Sequence, residues 1–266
     1  MLRIIHVSDL HFHQDNDDNK DALSLLSEIC VRYSFLPNGS NYLLATGDIV
    51  DDGTAKQRSR ASHALEPFQG SLLIAPGNHD YGPVGNLYDP KCASAFDKFI
   101  RNLGVNHSYK PKKICVRKLQ DAKGSELLSI GLNSNLETTW VGDFARGGIG
   151  KSQLEALDKV LGQAEYKDMR KLVYLHHRPE ECQWFLALTD SNDLMAVVNN
   201  RVDVLCFGHS GSTMKEQEPP QARMMYAARR QFGVPYLLNA NASRYRKMFY
   251  EITVDKSDLK VDLKTI

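Results

Sequence analysis

Five short apolar runs in the sequence each end in side chains that can bind a metal ion. In chain order, these ends are Asp9-Leu10-His11, Gly47-Asp48, Gly77-Asn78-His79-Asp80, His176-His177 and Gly208-His209. The set offers carboxylate, carboxamide and imidazole groups but no thiolate, which suits Mn, Fe, Zn or a similar divalent ion better than Ca²⁺ or a soft metal. Each end alone is a weak signal, because a polar residue after a strand is commonly an ordinary turn. Together they predict a divalent-metal site.

The apolar runs have the length and composition of buried strands, and helix-period segments lie between them. This alternation favours parallel βαβ units. The predicted strands cover residues 3–9, 42–48, 71–77, 171–177 and 202–209, and the predicted helices cover 21–32, 92–104 and 152–161, the last with Ser152 as its N-cap. After about residue 220 only strand-like runs follow. Because ligands bind at the carboxyl ends of parallel strands, the five polar ends are expected to meet in one crevice.

The spacing around these polar residues fits such a crevice. Asp9 and His11 are separated by one residue, so both point to the same side of an extended strand end. Gly47, Gly77 and Gly208 allow tight turns and a close approach of the backbone to a ligand. Residue types and backbone requirements therefore predict the same site.

The composition limits the classes of function that remain. The chain has 266 residues, 42% of them hydrophobic, and a formal net charge of +1. This fits one α/β domain over residues 1–266 and gives no global basic field for nucleic acid. No apolar stretch approaches the roughly 20 residues that a membrane span needs, and no signal peptide is recognisable. The five scattered cysteines form no CxxC pair, so we expect reduced thiols and a cytoplasmic location.

The motif series DLH, GDIVDDG, GNHD, LHH and GH resembles the calcineurin-like metallophosphoesterases, whose motifs run D-x-H, G-D-x-x-D, G-N-H-[DE], H and G-H-x-H. The resemblance spans residues 9–209. It implies a four-layer α/β/β/α sandwich with two mixed sheets, in which the strand-rich C-terminal region supports the second sheet. It also implies a two-metal site that hydrolyses phosphoesters with a metal-bound hydroxide. The compact chain is most similar to the small cyclic-nucleotide or glycerophosphodiester phosphodiesterases.

The resemblance also implies roles for the matching residues. One divalent ion (Mn, Fe or Zn) would be held by Asp9, His11 and Asp48, and a second by Asp48, Asn78, His176 and His209. Two such ions about 3.5–4 Å apart can clamp a phosphate and activate water. His79 would stabilise the transferred phosphoryl group or protonate the leaving oxygen, with Asp80 orienting its ring.

One position departs from the family pattern. The second histidine of G-H-x-H would fall at residue 211, where this chain has Gly211. Three interpretations are open: the first site binds its ion more weakly with three protein ligands and water; His13, Ser210 or Ser212 substitutes; or the site is degraded and the protein is a binding scaffold. The presence of every other ligand and of His79 favours an enzyme.

The sequence is less informative about the residues that bind substrate than about the metal ligands. Arg178 and His177, at the fourth polar end, and Tyr81, after GNHD, are candidate substrate-binding residues. A small phosphodiester or nucleotide is the predicted substrate, whereas a nuclease would need a basic groove. The basic clusters KQRSRASH (56–63) and SRYRK (243–247) are interpreted as solvated faces. Neither a membrane nor a particular protein partner is indicated.

Overall fold

The structure of the protein is a computed structural model that describes residues 1–33, 40–85, 87–109, 113–135, 145–179, 186–209, 233–241, 243–256 and 258–266. The strands of these segments are β1 (Leu2–Val7), β2 (Asn41–Thr46), β3 (Ser71–Ala75), β4 (Cys115–Gln120), β5 (Glu126–Gly131), β6 (Arg170–Tyr174), β7 (Val204–Phe207), β8 (Tyr236–Asn239), β9 (Met248–Asp255) and β10 (Asp258–Thr265). The helices are α1 (Lys20–Tyr33), α2 (Ala55–Leu65), α3 (Pro90–Asn102), α4 (Lys151–Leu161), α5 (Ser191–Val198) and α6 (Ser243–Arg246). Short 3-10 turns cover Asp17–Asn19, His79–Tyr81, Pro83–Gly85 and Ala164–Tyr166.

The first sheet has the strand order β10-β9-β1-β2-β3. Its strands β1, β2 and β3 are parallel and almost entirely buried, as strands covered on both faces are. The hairpin of β9 and β10 is antiparallel and pairs with β1. The strand-rich C-terminal region was predicted to support the second sheet; β8 lies in that sheet, whereas β9 and β10 join the first sheet at β1.

The second sheet has the order β4-β5-β6-β7-β8. Its strands from β5 to β8 are parallel, and β4 runs antiparallel to β5. Both sheets are therefore mixed, as predicted. Their parallel strands place polar side chains at the carboxyl ends.

Local sequence signals explain where the helices begin and end. A capping box between Thr54 and Gln57 starts α2. The prediction that Ser152 caps α4 is wrong, because the helix begins at Lys151 with Gly150 as its N-cap. The Asp190 carboxylate fixes this start by accepting hydrogen bonds from the backbone of Ile149 and Gly150. Among the described residues, no helix combines the length and the apolarity that crossing a membrane requires.

Two apolar cores define the layers. Alternate residues of the second sheet, such as Leu172 and Val204, pack with the first sheet and α1 to α3. Their neighbours Val173 and Leu205 pack with α4 and α5. Since successive strand residues point to opposite faces, the second sheet lies between the first sheet and α4–α5. The predicted four-layer α/β/β/α sandwich is confirmed.

Candidate metal centre

Strand ends from both sheets meet at one edge and bring the predicted metal ligands together. Four of them occupy equivalent positions, since each is the second residue after its strand: Asp9 after β1, Asp48 after β2, His176 after β6 and His209 after β7. The two sheets are joined here directly. The His176 Nδ1 donates a hydrogen bond of 2.7 Å to the carbonyl oxygen of Thr46, the last residue of β2.

The backbone is strained at four of the predicted metal ligands. The φ angle is +56° at Asp9, +42° at His11, +49° at Asp48 and +48° at His209. A left-handed conformation costs a non-glycine residue on the order of 1–3 kcal/mol and persists where the surrounding structure enforces it, commonly at functional sites. The strain therefore supports the assignment of these residues to a functional site.

The first donor cluster consists of Asp9, His11 and Asp48, whose ligand atoms all lie within 4.8 Å of one another. The His11 Nε2 is 3.6 Å from the Asp48 Oδ2 and 4.0 Å from the Asp9 Oδ1. Both carboxylates are buried, and His11 is half-buried. The arrangement offers two carboxylate oxygens and one imidazole nitrogen to a single ion.

The second donor cluster surrounds the Nε2 atom of His176. This atom lies 3.0 Å from the Asn78 Oδ1, 3.1 Å from the His209 Nδ1 and 3.2 Å from the Asp48 Oδ2. Because His176 donates its Nδ1 hydrogen to a carbonyl, its Nε2 is the nitrogen that is available to a metal. Asp48 belongs to both clusters, so its carboxylate can bridge two ions.

The protonation states of these residues fit a cation site. Burial and the neighbouring His176 lower the pKa of His209 to about 3, which leaves the neutral imidazole that metals bind. Burial acts against a charged His176, but the Asp48 carboxylate raises the pKa of His176 to about 9. The cluster therefore draws a positive charge to the point where its donor atoms converge, so the residues fit a divalent ion.

Two glycines let the backbone approach the carboxylates. A Cβ atom at Gly77 would lie 2.1 Å from the Asp48 Oδ1. A Cβ atom at Gly208 would lie 2.4 Å from the Asp9 Oδ2. A side chain at either glycine would therefore collide with the carboxylate of a predicted metal ligand, and the approach of the backbone to a bound ligand stays a prediction.

Asp51 is a residue of the site that the sequence analysis did not assign. Its Oδ1 accepts a hydrogen bond of 3.0 Å from the His11 Nδ1, so the His11 Nε2 faces Asp9 and Asp48. The signal was present, since Asp51 is the second aspartate of GDIVDDG and matches the last residue of G-D-x-x-D. A carboxylate behind an imidazole fixes the orientation of its ring and raises its basicity as a ligand.

Replacing Asp51 by Asn is expected to weaken Mn²⁺ binding at the first cluster about 10–100-fold, because the charge behind His11 is lost. A titration of the EDTA-treated protein with Mn²⁺, followed by electron paramagnetic resonance, measures the change. Asp52→Asn is the matched control, since it removes an adjacent carboxylate that contacts Gln57 instead. An equal loss of affinity in both variants would contradict the role of Asp51.

His79 lies outside the two clusters that share Asp48 but forms a further group of possible metal donors with His11 and Asp51, and its orienting partner differs from the predicted one. Its Nδ1 lies 2.7 Å from the Asp51 carbonyl oxygen, and its backbone N–H donates to the Asp48 Oδ1 at 3.0 Å. The Asp80 carboxylate instead accepts backbone hydrogen bonds from Ile49, Val50 and Gly77. Asp80 therefore braces the loops that carry Asp48 and Asn78, and the group that orients the His79 ring is Asp51.

The three substrate-binding candidates occupy different environments. Tyr81 is 4% exposed and packs against Tyr88 and Phe96 in the core. His177 is fully buried, with its Nδ1 2.8 Å from the Ser134 Oγ and its ring 4.3 Å from that of His209. Arg178, the next residue in the chain, is half-buried at the same strand end. Tyr81 and His177 therefore have packing roles in the structure. A contact of Tyr81, His177 or Arg178 with substrate stays a prediction.

The residues that bear on the missing histidine are only partly described. Gly211, Ser210 and Ser212 lie outside the described residues. His13, the other proposed substitute, directs its Nδ1 to the Asp51 Oδ2 at 3.3 Å. This contact places the His13 ring on the Asp51 side of His11.

Arg244 is a second residue of the site that the sequence analysis missed, because the SRYRK cluster was interpreted as solvated. It is 5% exposed, and its Nη1 donates to the carbonyl oxygens of Leu10 at 3.0 Å and His11 at 2.7 Å. The N–H groups of Asp9 and His11 are held by Gly47 and Asp48 on the other side of the turn. The left-handed turn that carries both ligands is thus fixed from two sides.

Replacing Arg244 by Met is expected to weaken Mn²⁺ binding about 10–100-fold, the range seen when the outer partners of metal ligands are removed. Arg244→Lys should recover part of the loss, since an amine can donate to both carbonyls but is about one bond shorter. The same Mn²⁺ titration reports both variants. Native affinity in Arg244→Met would show that the turn holds without the guanidinium.

The chain is similar to known proteins of one family. The family model described as calcineurin-like phosphoesterase matches residues 2–212. A 3′,5′-cyclic-nucleotide phosphodiesterase of Nostoc sp. is 26% identical over 225 residues, which cover 81% of this chain and 74% of the relative. A 3′,5′-cyclic adenosine monophosphate phosphodiesterase of Vibrio vulnificus is 44% identical over 43 residues, or 16% of each chain.

The fold is shared with a solved structure. The calcineurin-like phosphoesterase YfkN from Bacillus subtilis aligns with 99% of this chain and 90% of its own, with a TM-score of 0.54 and 15% sequence identity. At that identity, the likeness is one of fold.

Proposed function

Because the chain belongs to the calcineurin-like phosphoesterase family, we propose that it is a divalent-metal-dependent phosphodiesterase that acts on a small, nucleotide-like phosphodiester. The observation that carries this proposal is the sharing of Asp48 between two donor clusters. Two divalent ions bound there would supply Lewis-acid activation of the phosphoryl group and of water. The ligands of the two ions would be Asp9, His11, Asp48, Asn78, His176 and His209.

In this proposal, His79 donates a proton to the leaving oxygen. The carbonyl oxygen of Asp51 can only accept a hydrogen bond, so the Nδ1 of His79 carries the hydrogen. The Nε2 of His79 is then the ring nitrogen through which it would act on the substrate. A histidine held in this way can stabilise a phosphoryl oxygen and protonate the leaving oxygen when it is charged.

The substrate class rests on the relatives and on charge. The relatives in Nostoc and Vibrio are named as cyclic-nucleotide phosphodiesterases, which favours a diester over a monoester. The formal net charge of +1 gives no support to a polynucleotide substrate. A 3′,5′-cyclic nucleotide is therefore the proposed substrate type.

The substrate class is tested by comparing kcat/KM in Mn²⁺ for 3′,5′-cyclic AMP, bis-p-nitrophenyl phosphate and p-nitrophenyl phosphate. We expect both diesters to exceed the monoester. Faster hydrolysis of the monoester would overturn the diester assignment. Activity that rises with the length of a single-stranded DNA substrate would point to a nuclease.

A further inference from the structure

A cavity of about 480 Å³ lies between α2 and the chain that leads from β1 into α1. None of the donor residues of the metal centre lines it. One wall is formed by α2, where Lys56, Arg60 and His63 follow one another at helical spacing and all line the cavity. These are three of the four basic residues of KQRSRASH, which the sequence analysis interpreted as a solvated face.

Acidic residues lie near this cavity but do not line it. No carboxylate is among the described residues that line it. Asp15, Asp17 and Asp18 lie on the facing segment beside Asn16 and Asn19 but do not line the cavity, and Asp17 is paired with Lys20 at 2.8 Å. Neither Lys56 nor Arg60 forms an ion pair with any residue that the structure describes. The side chains of Lys56 and Arg60 on the α2 wall are therefore cationic, and no lining residue that the structure describes carries a negative charge.

Two features show that this arrangement does not serve the stability of α2. Lys56 lies in the first helical turn, which contains no acidic residue, although the positive end of the helix dipole favours the opposite charge. The Nε of Arg60 is buried and has no hydrogen-bond partner among the described residues. Departures from local stability rules of this kind are expected at binding sites.

The remaining lining has a different character. Leu23 and Ala64 supply apolar surface, and Leu23 is 43% exposed, whereas Phe12, which also lines the cavity, is fully buried. Asn16 and Ser59 add neutral hydrogen-bonding groups at the rim. The volume lies in the usual range of about 300–1,000 Å³ for small-molecule sites. Cationic groups beside an apolar floor fit a molecule that joins a phosphate to an apolar or aromatic part.

We propose that this cavity is a second binding site, separate from the metal centre, for a small organic phosphate of mononucleotide size. The phosphate pairs with Lys56 and Arg60, with hydrogen bonds to the guanidinium. The apolar part lies against Leu23 and Ala64. Binding at this site requires no divalent metal.

The test uses the full chain in EDTA, so that the metal centre cannot bind the ligand through metal ions. The probe is AMP, titrated calorimetrically at low salt. We expect saturable binding that weakens at least tenfold in the double variant Lys56→Met/Arg60→Met. Ser59→Asp should weaken binding as well, because it adds a negative charge to the rim. The control Lys98→Met/Lys159→Met removes the same charge from exposed positions of α3 and α4 and should bind AMP as the native chain does.

Folding of the variants is followed by thermal unfolding. The Lys56→Met/Arg60→Met variant is expected to unfold at the native temperature or above it, since it removes an unfavourable charge from the helix start. No AMP binding in EDTA would overturn the proposal. So would equal weakening in the control, or native affinity in Lys56→Met/Arg60→Met. None of these results depends on phosphodiesterase activity.

Discussion

Replacing Asp48 by Asn is expected to abolish metal-dependent hydrolysis, with a loss of at least about three orders of magnitude in kcat. Metal ions contribute several kcal/mol to transition-state stabilisation, and each ~1.4 kcal/mol is a factor of ten in rate. Asp48 is the carboxylate that both donor clusters share, so the amide removes the negative charge from both at once. The shape of the side chain is conserved, and the hydrogen bond from the His79 backbone can still form.

The experiment measures hydrolysis of bis-p-nitrophenyl phosphate and Mn²⁺ stoichiometry for Asp48→Asn and for Asp52→Asn. The control removes a neighbouring carboxylate that is bonded to Gln57 and lies outside both clusters. Thermal unfolding of both variants in EDTA shows that they are folded. Native turnover in Asp48→Asn would contradict the role of Asp48 as a carboxylate shared by two metal ions.

The second large effect is expected from the cluster around His176. Asn78→Ala and His209→Ala each delete one of the atoms within 3.1 Å of the His176 Nε2. Each should lose one bound Mn²⁺ and reduce turnover about 10²–10³-fold, since one of two ions that stabilise charge in the transition state is missing. The ion at the first cluster, which uses neither side chain, should remain.

The stoichiometry separates this effect from general damage to the protein. Asn102→Ala, at the exposed end of α3, is the matched control for Asn78→Ala and should bind Mn²⁺ and hydrolyse substrate as the native chain does. Unchanged activity in both Asn78→Ala and His209→Ala would refute the second cluster as a metal site.

The residues that the sequence predicts best are those whose role is tied to a strand end. Asp9, Asp48, His176 and His209 follow buried parallel strands, and the rule that such ends converge is a property of the fold class. Their contact across the two sheets could therefore be expected without coordinates. Local rules also predict the buried face of α1, because helical periodicity decides it.

The sequence was less informative where a contact joins distant parts of the chain. Arg244 belongs to a basic cluster that looks solvated, yet its guanidinium holds carbonyls more than 230 residues away. Composition cannot reveal such a contact, because a buried arginine and an exposed one have the same local neighbours. Asp51 is a different case, since its motif position was visible but its partner depends on how the His11 ring is turned.

The same limit explains the error at His79, whose orienting partner was predicted to be Asp80. Adjacent residues of a 3-10 turn point in different directions, so Asp80 faces the backbone of Gly77 while His79 faces Asp51. Tyr81 then turns into the core. A linear motif gives the order of these residues but not the direction of each side chain.

Hydrolysis of bis-p-nitrophenyl phosphate by the EDTA-treated protein, before and after addition of Mn²⁺, tests the central claim most directly. The native chain and Gly211→His are assayed in parallel, because residue 211 is where the family motif places a further histidine. We predict no turnover in EDTA and metal-dependent turnover by the native chain after Mn²⁺ is added. A native chain that stays inactive with Mn²⁺ while Gly211→His hydrolyses the diester would contradict the claim and assign the metal centre a binding role.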